Sequence, residues 1–350
     1  MKISAIGIDL AKNVFQIHAV DEQGKKVLGR QVRRAQMLEF FANLPACLVG
    51  MEACGGAHFW ARKLRALGHE VRLLAPQLVK PYVRGQKNDA NDARAICEAL
   101  QRPDMRFVAV KSVEQQALCH LHSSRRRLMK QRIMQSNAIR AMLAEHGLVL
   151  PQGMSALRQG VPELLEDASN ELLGMSRLLI QQEMAGLAQL EQRIQALGHQ
   201  IKTLAQASPE CQRLQRLPGV GVLGASALVA EVDRAQQFEH CRQLPAAVGI
   251  VPRQHSSGGK SVLLGITKRG DAYLRWLFIH GARSVIKAQL LKPVEQRDAW
   301  IHKMLQTKHA NVVAVALAAR TLRRAWAILR YGSDYQPSYR GAGRDLAAAA

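Results

Sequence analysis

Residues 2–32 hold three short stretches in which apolar residues alternate with small or polar ones, and this constrains the fold more than any other part of the chain. KISAIGIDL (2–10), NVFQIHAV (13–20) and KKVLGRQV (25–32) each have the period of a strand. Connections this short, with DEQG at 21–24 as a turn, predict an antiparallel meander. The period then changes. Met37, Leu38, Phe41 and Leu44 have helical spacing in 34–44, and Pro45 ends that helix. CLVGMEA (47–53) reads as a buried strand, 57–68 as a helix closed by Gly68, and EVRLLA (70–75) as a fifth strand. Asn91 is expected to cap a helix running through Ala93, Ile96 and Leu100. A meander followed by crossover helices predicts a mixed sheet with helices packed on it.

Charge narrows the function. The 350 residues carry 49 Lys+Arg against 27 Asp+Glu, a net charge of +22, with a pI near 10.4. A polyanion is the first partner such a chain calls for. The cations are also segregated. No acid occurs from Gln115 to Ala144, where Arg125, Arg126, Arg127, Lys130, Arg132 and Arg140 lie. From Gly249 to Leu291 the only acid is Asp271, against Arg253, Lys260, Lys268, Arg269, Arg275, Arg283 and Lys287. Such tracts suit phosphate backbones, where each neutralised phosphate releases counterions. Aromatic residues are only 5% of the chain, which favours backbone contacts over a single-strand stacking platform. Hydrophobic residues at 48% exclude wholesale disorder, and no apolar run is long enough for a membrane span. Cys47, Cys54, Cys97, Cys119, Cys211 and Cys241 show neither CxxC nor zinc spacing, as in a reduced cytoplasmic protein. His18, His58 and His280 have no ligand spacing and read as structural or solvated.

The rest of the chain reads as helical. A helix is expected over about 112–146, with the arginine tract on its polar face, and a break at Pro151, Gly153, Gly160 and Pro162. In 171–206, Leu187, Leu190, Ile194, Leu197, Ile201 and Leu204 step alternately by three and four, the seam of a coiled coil. That seam serves either packing inside one chain or self-association, and self-association is the expected use, because the run is polar elsewhere and lies between two domains. A third unit, about 210–331, is expected to be helical with a loop-rich insertion at 250–267, followed by a loose tail at 332–350. The boundaries are thus 1–150, a sheet domain with a basic helical extension; 151–208, a coiled-coil linker and oligomerisation segment; 209–331, a C-terminal domain; and 332–350, the tail.

Four acids stand out. Asp9 ends the first strand and Glu52 the fourth, so adjacency of those strands brings both carboxylates to one edge. Asp89 and Asp92, in KNDANDAR, share one face at the start of the following helix. Converging carboxylates repel unless divalent ions lie among them, and hard oxygen donors suit Mg²⁺ or Mn²⁺. Two such ions can hold the attacking and leaving oxygens of a phosphoryl displacement. With these acids, the strand order is that of a ribonuclease-H-like fold. The predicted class is therefore α/β plus α: a ribonuclease-H-like mixed sheet, a helical coiled-coil segment, and a mainly α C-terminal domain.

LQRLPGVGVLGASALVAEV (214–232) reads as a helix-hairpin-helix, in which Gly219 and Gly221 would expose backbone N–H groups to a phosphate. In PRQHSSGGKSVLLGITKRGDAYLR (252–275), Ser256 and Ser257 precede Gly258 and Gly259 among Lys260, Lys268, Arg269 and Arg275. On composition alone this is a flexible phosphate-binding loop.

Taken together, GIDLAKN, VGMEACGGAHFW and KNDANDARAI, followed by LPGVG and GIVPRQHSSGGKSVLLGITKRGDAYLR, resemble the DEDD transposases. These are RNA-guided insertion-sequence recombinases with a Holliday-junction-resolvase-like nuclease domain. The likeness spans about residues 3–330. It implies that Asp9, Glu52, Asp89 and Asp92 form a Mg²⁺-binding (or Mn²⁺-binding) catalytic cluster. It implies that Ser257, with Ser256 as the doubled neighbour, attacks DNA and forms a phosphoserine link. Donor and target DNA, a structured non-coding guide RNA and a dimer or tetramer are the implied partners. Arg125, Arg126, Arg127, Lys130, Lys260, Lys268, Arg269 and Arg275 are the expected phosphate contacts. The rivals are a junction-resolving metal-dependent nuclease without a covalent intermediate, and a non-enzymatic nucleic-acid-binding protein.

Overall fold

The computed structural model describes residues 3–86 and 88–336. Residues 337–350, most of the expected tail, lie outside it. The chain divides into two compact units, Met1–Gln116 and Ala117–Ala350.

The first unit is built on β1 (Ala5–Leu10), β2 (Val14–Val20), β3 (Lys26–Arg33), β4 (Leu48–Glu52), β5 (Glu70–Leu74) and β6 (Phe107–Val108), joined in the order β3-β2-β1-β4-β5-β6. β1–β3 form the expected antiparallel meander, β4 lies parallel to β1, and β5 lies parallel to β4. This mixed sheet is consistent with a ribonuclease-H-like order. β6 runs antiparallel to β5 and was not anticipated, because two residues carry no periodicity. The helices of this unit are α1 (Met37–Ala42), α2 (Ala57–Ala66), α3 (Pro76–Val79) and α4 (Asp89–Leu100). Asn88 caps α4, accepting from the Asn91 N–H at 2.8 Å. Asn91, the expected cap, lies inside the first turn and donates its side chain to the Gln86 carbonyl. The helix starts one turn early because Asn88, not Asn91, has the extended backbone of a cap.

Strand alternation sorts the sheet faces. Ile6, Ile8, Phe15, Ile17, Val49 and Met51 pack with Met37, Phe41, Trp60 and Leu64 of α1 and α2. Ala5, Leu74 and the α4 residues Ile96, Cys97 and Leu100 form the opposite core. Gly7 and Gly50 are the points where α4 meets that second face. A Cβ on Gly7 would lie 2.5 Å from the Cys97 backbone nitrogen, whereas one on Gly50 would meet the Leu100 Cδ2 at 2.9 Å. Helix backbone cannot yield as a leucine tip can. Gly7→Ala is therefore expected to cost more than Gly50→Ala, by about 2 kcal/mol in urea unfolding of the full chain. Equal losses would remove this account of the close approach.

In the second unit, α5 (Val113–Glu145), which begins at the end of the first, is followed by α6 (Met154–Glu166), α7 (Gly174–Ala207), α8 (Pro209–Gln215), α9 (Val222–Val232) and α10 (Gln243–Val248). The hairpin of β7 (Pro252–Ser257) and β8 (Lys260–Ile266) precedes α11 (Ala272–Leu290), α12 (Ala299–Thr307) and α13 (Ala310–Tyr331). The expected loop at 250–267 is thus an antiparallel hairpin. Its two-residue turn needs positive φ twice, and Gly258 (+54°) and Gly259 (+79°) supply it.

Half of the seam on α7 is buried inside the chain, while Leu190 and Leu197 are half-buried and Leu204 is exposed. Leu187, Ile194 and Ile201 are buried. Ile180 and Leu187 share a core with Ile139 and Leu143 of α5 and Leu157 and Val161 of α6. Gln135 donates to the Glu183 carbonyl at 2.7 Å, and Arg158 reaches Glu191 at 3.1 Å through Nε. Packing within one chain accounts for Leu187, Ile194 and Ile201, where self-association was the expected use. The expected loose tail also begins tied down. Asp334 pairs with Arg216 at 2.7 Å, and Arg324 lies 5.5 Å over the Tyr335 ring.

Candidate active site and nucleic-acid interface

Asp9 follows Gly7 on the α4 face of β1, and Glu52 follows Gly50 on the same face of β4. The parallel register pairs Gly7 with Gly50 and Ile8 with Met51, so Asp9 and Glu52 come next, side by side. Both are half-buried. Their convergence is visible at Cys54. Burial pushes that thiol above its ordinary range, and the negative charges of Glu52 and then Asp9 push it further. Cys54 is exposed and stands beside the acids.

α4 runs antiparallel to β1. Its Cys97 thiol donates to the Ala5 carbonyl, at the start of β1, and Ala93 lies over Gly7. The N-terminal turn of α4, with exposed Asp89 and half-buried Asp92, therefore points toward the end of the sheet where Asp9 and Glu52 emerge. Among the described residues, no three His, Cys, Asp or Glu side chains stand close enough to hold an ion. The fold sets Asp9 and Glu52 side by side at one sheet end and directs the helix that bears Asp89 and Asp92 toward it, without closing a cage.

The two serines take opposite faces of β7. Ser256 pairs with Ser261, and its Oγ accepts from Gln254 Nε2 at 2.9 Å. Ser257 pairs with Lys260, next to the turn, and alternation places His255 on its face. Every residue of β7 is exposed. At the base of the hairpin, Arg275 donates to the carbonyls of Val248 (2.8 Å) and Arg269 (3.2 Å), so this expected phosphate contact staples the loop. Lys260, Lys268 and Arg269 are exposed or half-buried around it.

The two acid-poor tracts, far apart in sequence, meet within the second unit at Tyr273 of α11. Arg126 lies 5.3 Å over its ring, and the Arg125 charge is close enough to act on its hydroxyl. That hydroxyl also contacts His122 Nδ1 at 3.1 Å, while His122 Nε2 contacts Ser226 Oγ at 3.0 Å and Ser226 donates to the Val222 carbonyl at 2.7 Å. Burial, aided by the Arg125 charge, drives the His122 pKa down to about 4, so the imidazole is neutral near pH 7. Burial raises the Tyr273 hydroxyl, and Arg125 and Arg126 partly offset the rise. Sequence reasoning missed this chain because no spacing links residues 122, 226 and 273. Arg127 and Lys130, on the same helix, are exposed.

Gly219 and Gly221 differ in what surrounds them. A Cβ on Gly219 would lie 2.8 Å from the Gly281 carbonyl of α11, so this glycine serves a close backbone approach. Gly221, the residue before α9, has open space at that position.

Residues 6–147 match a family model of transposases of the DEDD, IS110 type, and residues 211–296 match one described as Transposase IS116/IS110/IS902 family. A Pseudomonas aeruginosa protein named "Probable family 20 transposase" is 47% identical over 338 residues, covering 96% of this chain and all of that one. The chain belongs to this family of insertion-sequence transposases. The transposase is also 41% identical to that of element IS1111A from Coxiella burnetii, across 95% of this chain and 92% of the relative. It is 38% identical to that of IS1328 from Yersinia enterocolitica, across 95% and 98%. DNA is thus its substrate, and a divalent ion accords with the DEDD type. The neighbouring carboxylates Asp9 and Glu52 fit such an ion, because they offer only hard oxygens. No helix of the transposase, among the described residues, is long and apolar enough to cross a membrane.

Proposed function

We propose that this transposase cuts and rejoins DNA through a phosphoserine link formed by Ser257, with Mg²⁺ or Mn²⁺ held by Asp9, Glu52, Asp89 and Asp92. The observation that carries the reading is the placement of Asp9 and Glu52 side by side at the ends of two parallel strands, with the α4 N-terminus directed to the same end. Carboxylates gathered this way repel one another, and a divalent ion both relieves the repulsion and would supply charge stabilisation at a scissile phosphate. The chain's own groups do the rest. Attack forms a bond from Ser257 Oγ to phosphorus and breaks one P–O bond of the strand, which leaves as a hydroxyl; the serine proton passes to solvent. Rejoining reverses these bonds with a new strand end. His255 and Lys260, which share the Ser257 face of the hairpin, are placed to position the phosphate.

The functional division follows the sequence: a nuclease domain with its basic extension at 1–150, a helical segment at 151–208, and a serine-bearing domain at 209–331. Arg125, Arg126, Arg127, Lys130, Lys260, Lys268 and Arg269 contact phosphates. Gly221, with open space before α9, is the better placed of the two hairpin glycines for a backbone contact. A structured non-coding RNA supplies sequence choice by pairing, which leaves the protein to read shape and backbone. Strand exchange requires several sites, hence a dimer or tetramer. The test is capture of DNA on the protein in the presence of Mg²⁺, with Ser257→Ala and Glu52→Gln as the two losses.

Phosphate contacts also fix a salt dependence. Each contributes about 0.9 to the slope of log K against log salt on duplex DNA. Replacing both Arg127 and Lys130 by alanine is expected to flatten that slope by about 2. An unchanged slope would take this tract out of the interface.

A further inference from the structure

α11 carries no acid in AYLRWLFIHGARSVIKAQL. Its Leu274, Phe278, Ala282 and Ile286 face the core. On the other side, Tyr273, Trp276 and His280 form a row of flat rings. Trp276 lies 6.2 Å from Tyr273 and 5.5 Å from His280, centroid to centroid, with interplanar angles of 12° and 11°. Trp276 is 53% exposed. Farther along the same side come Arg283 and Lys287, both exposed, while Arg126 stands over Tyr273 at the other end. Tyr273 is fixed by His122 and Arg126, so the row is anchored before any ligand arrives.

From this geometry we infer that the α11 ring row is a stacking platform for unpaired DNA bases. Half of the tryptophan surface lies in water, in a row of parallel rings with the Arg126 guanidinium at one end and Arg283 and Lys287 beyond the other. Nucleobases offer flat π faces, and their phosphates match those cations. Within a duplex the base faces are covered by their neighbours, so only splayed or single-stranded nucleotides can use the row. DNA is the occupant because DNA is the substrate of this family, and cutting and exchanging strands exposes unpaired bases. The inference rests on that reading alone and not on the serine or the metal.

The test is binding of the full chain to dT20, to a 20-base-pair duplex and to rU20 at one salt concentration. Trp276→Ala is expected to weaken dT20 binding about tenfold, as for loss of one stacked base. The same variant should leave duplex affinity within twofold, which also reports an intact fold. Trp276→Phe should restore most of the dT20 affinity. Unchanged dT20 binding by Trp276→Ala would overturn the platform, as would equal losses on dT20 and duplex. A loss larger for rU20 than for dT20 would give the row to RNA and overturn the assignment to DNA. If the unsubstituted protein bound neither DNA, the DNA reading itself would fall, which this design separates from failure of the platform.

Discussion

Glu52→Gln is expected to abolish strand cleavage while leaving DNA binding within twofold of the unsubstituted protein. The substitution keeps shape and removes one negative charge from a pair of neighbouring carboxylates. Loss of a ligand that positions charge at the scissile phosphate should cost on the order of 10³-fold in rate, about 4 kcal/mol at 1.36 kcal/mol per tenfold. Two further readouts separate this role from a structural one. Without a divalent ion, the variant should be no less stable, because removing one of two adjacent charges relieves repulsion. The Cys54 thiol, which Glu52 and Asp9 push upward, should ionise at lower pH, so its alkylation at fixed pH should quicken. Peptide mapping of the alkylated thiols measures this directly. Cleavage retained, or a large loss of stability without the ion, would place Glu52 in the scaffold instead of the chemistry.

Ser257→Ala carries the second large effect. The covalent protein–DNA species should vanish, and rejoining with it. Ser256→Ala should retain both within tenfold, because Ser256 lies on the opposite face, held by the Gln254 amide. Ser257 shares its face with Lys260 and His255, the groups suited to receive a phosphate. If Ser257→Ala cleaves normally with Mg²⁺, water is the nucleophile and the chain acts as a resolving nuclease. If Ser256→Ala alone loses the species, the assignment moves one residue along the strand. Denaturing gel electrophoresis of end-labelled DNA distinguishes these outcomes.

The meander and the crossover helices were legible because strand and helix periods are local properties of the chain. So was the edge shared by Asp9 and Glu52, which follows once β1 and β4 are neighbours. The close approach of α4 to the sheet was not legible; Gly7 and Gly50, whose missing side chains let the helix lie close, permit it. The seam of α7 could be read as a stripe, but its partner could not, since Ile139 and Leu157 announce nothing in isolation. The hairpin at 252–266 was hidden because its strands are exposed on both faces and show no alternation of burial. The His122–Ser226–Tyr273 chain was out of reach, because three helices must fold before those polar groups meet. Low aromatic content argued against stacking, yet it says nothing of where the few rings lie. Three of them are in line on α11.

The most direct measurement is identification of the residue that carries DNA. The full chain is incubated with labelled DNA of the element junction, the guide RNA and Mg²⁺, then digested, and the nucleotide-bearing peptide is sequenced by mass spectrometry. The account predicts a nucleotide on Ser257 that is absent in the Glu52→Gln protein. DNA cut to free ends, with no nucleotide on any peptide of the protein, would contradict it.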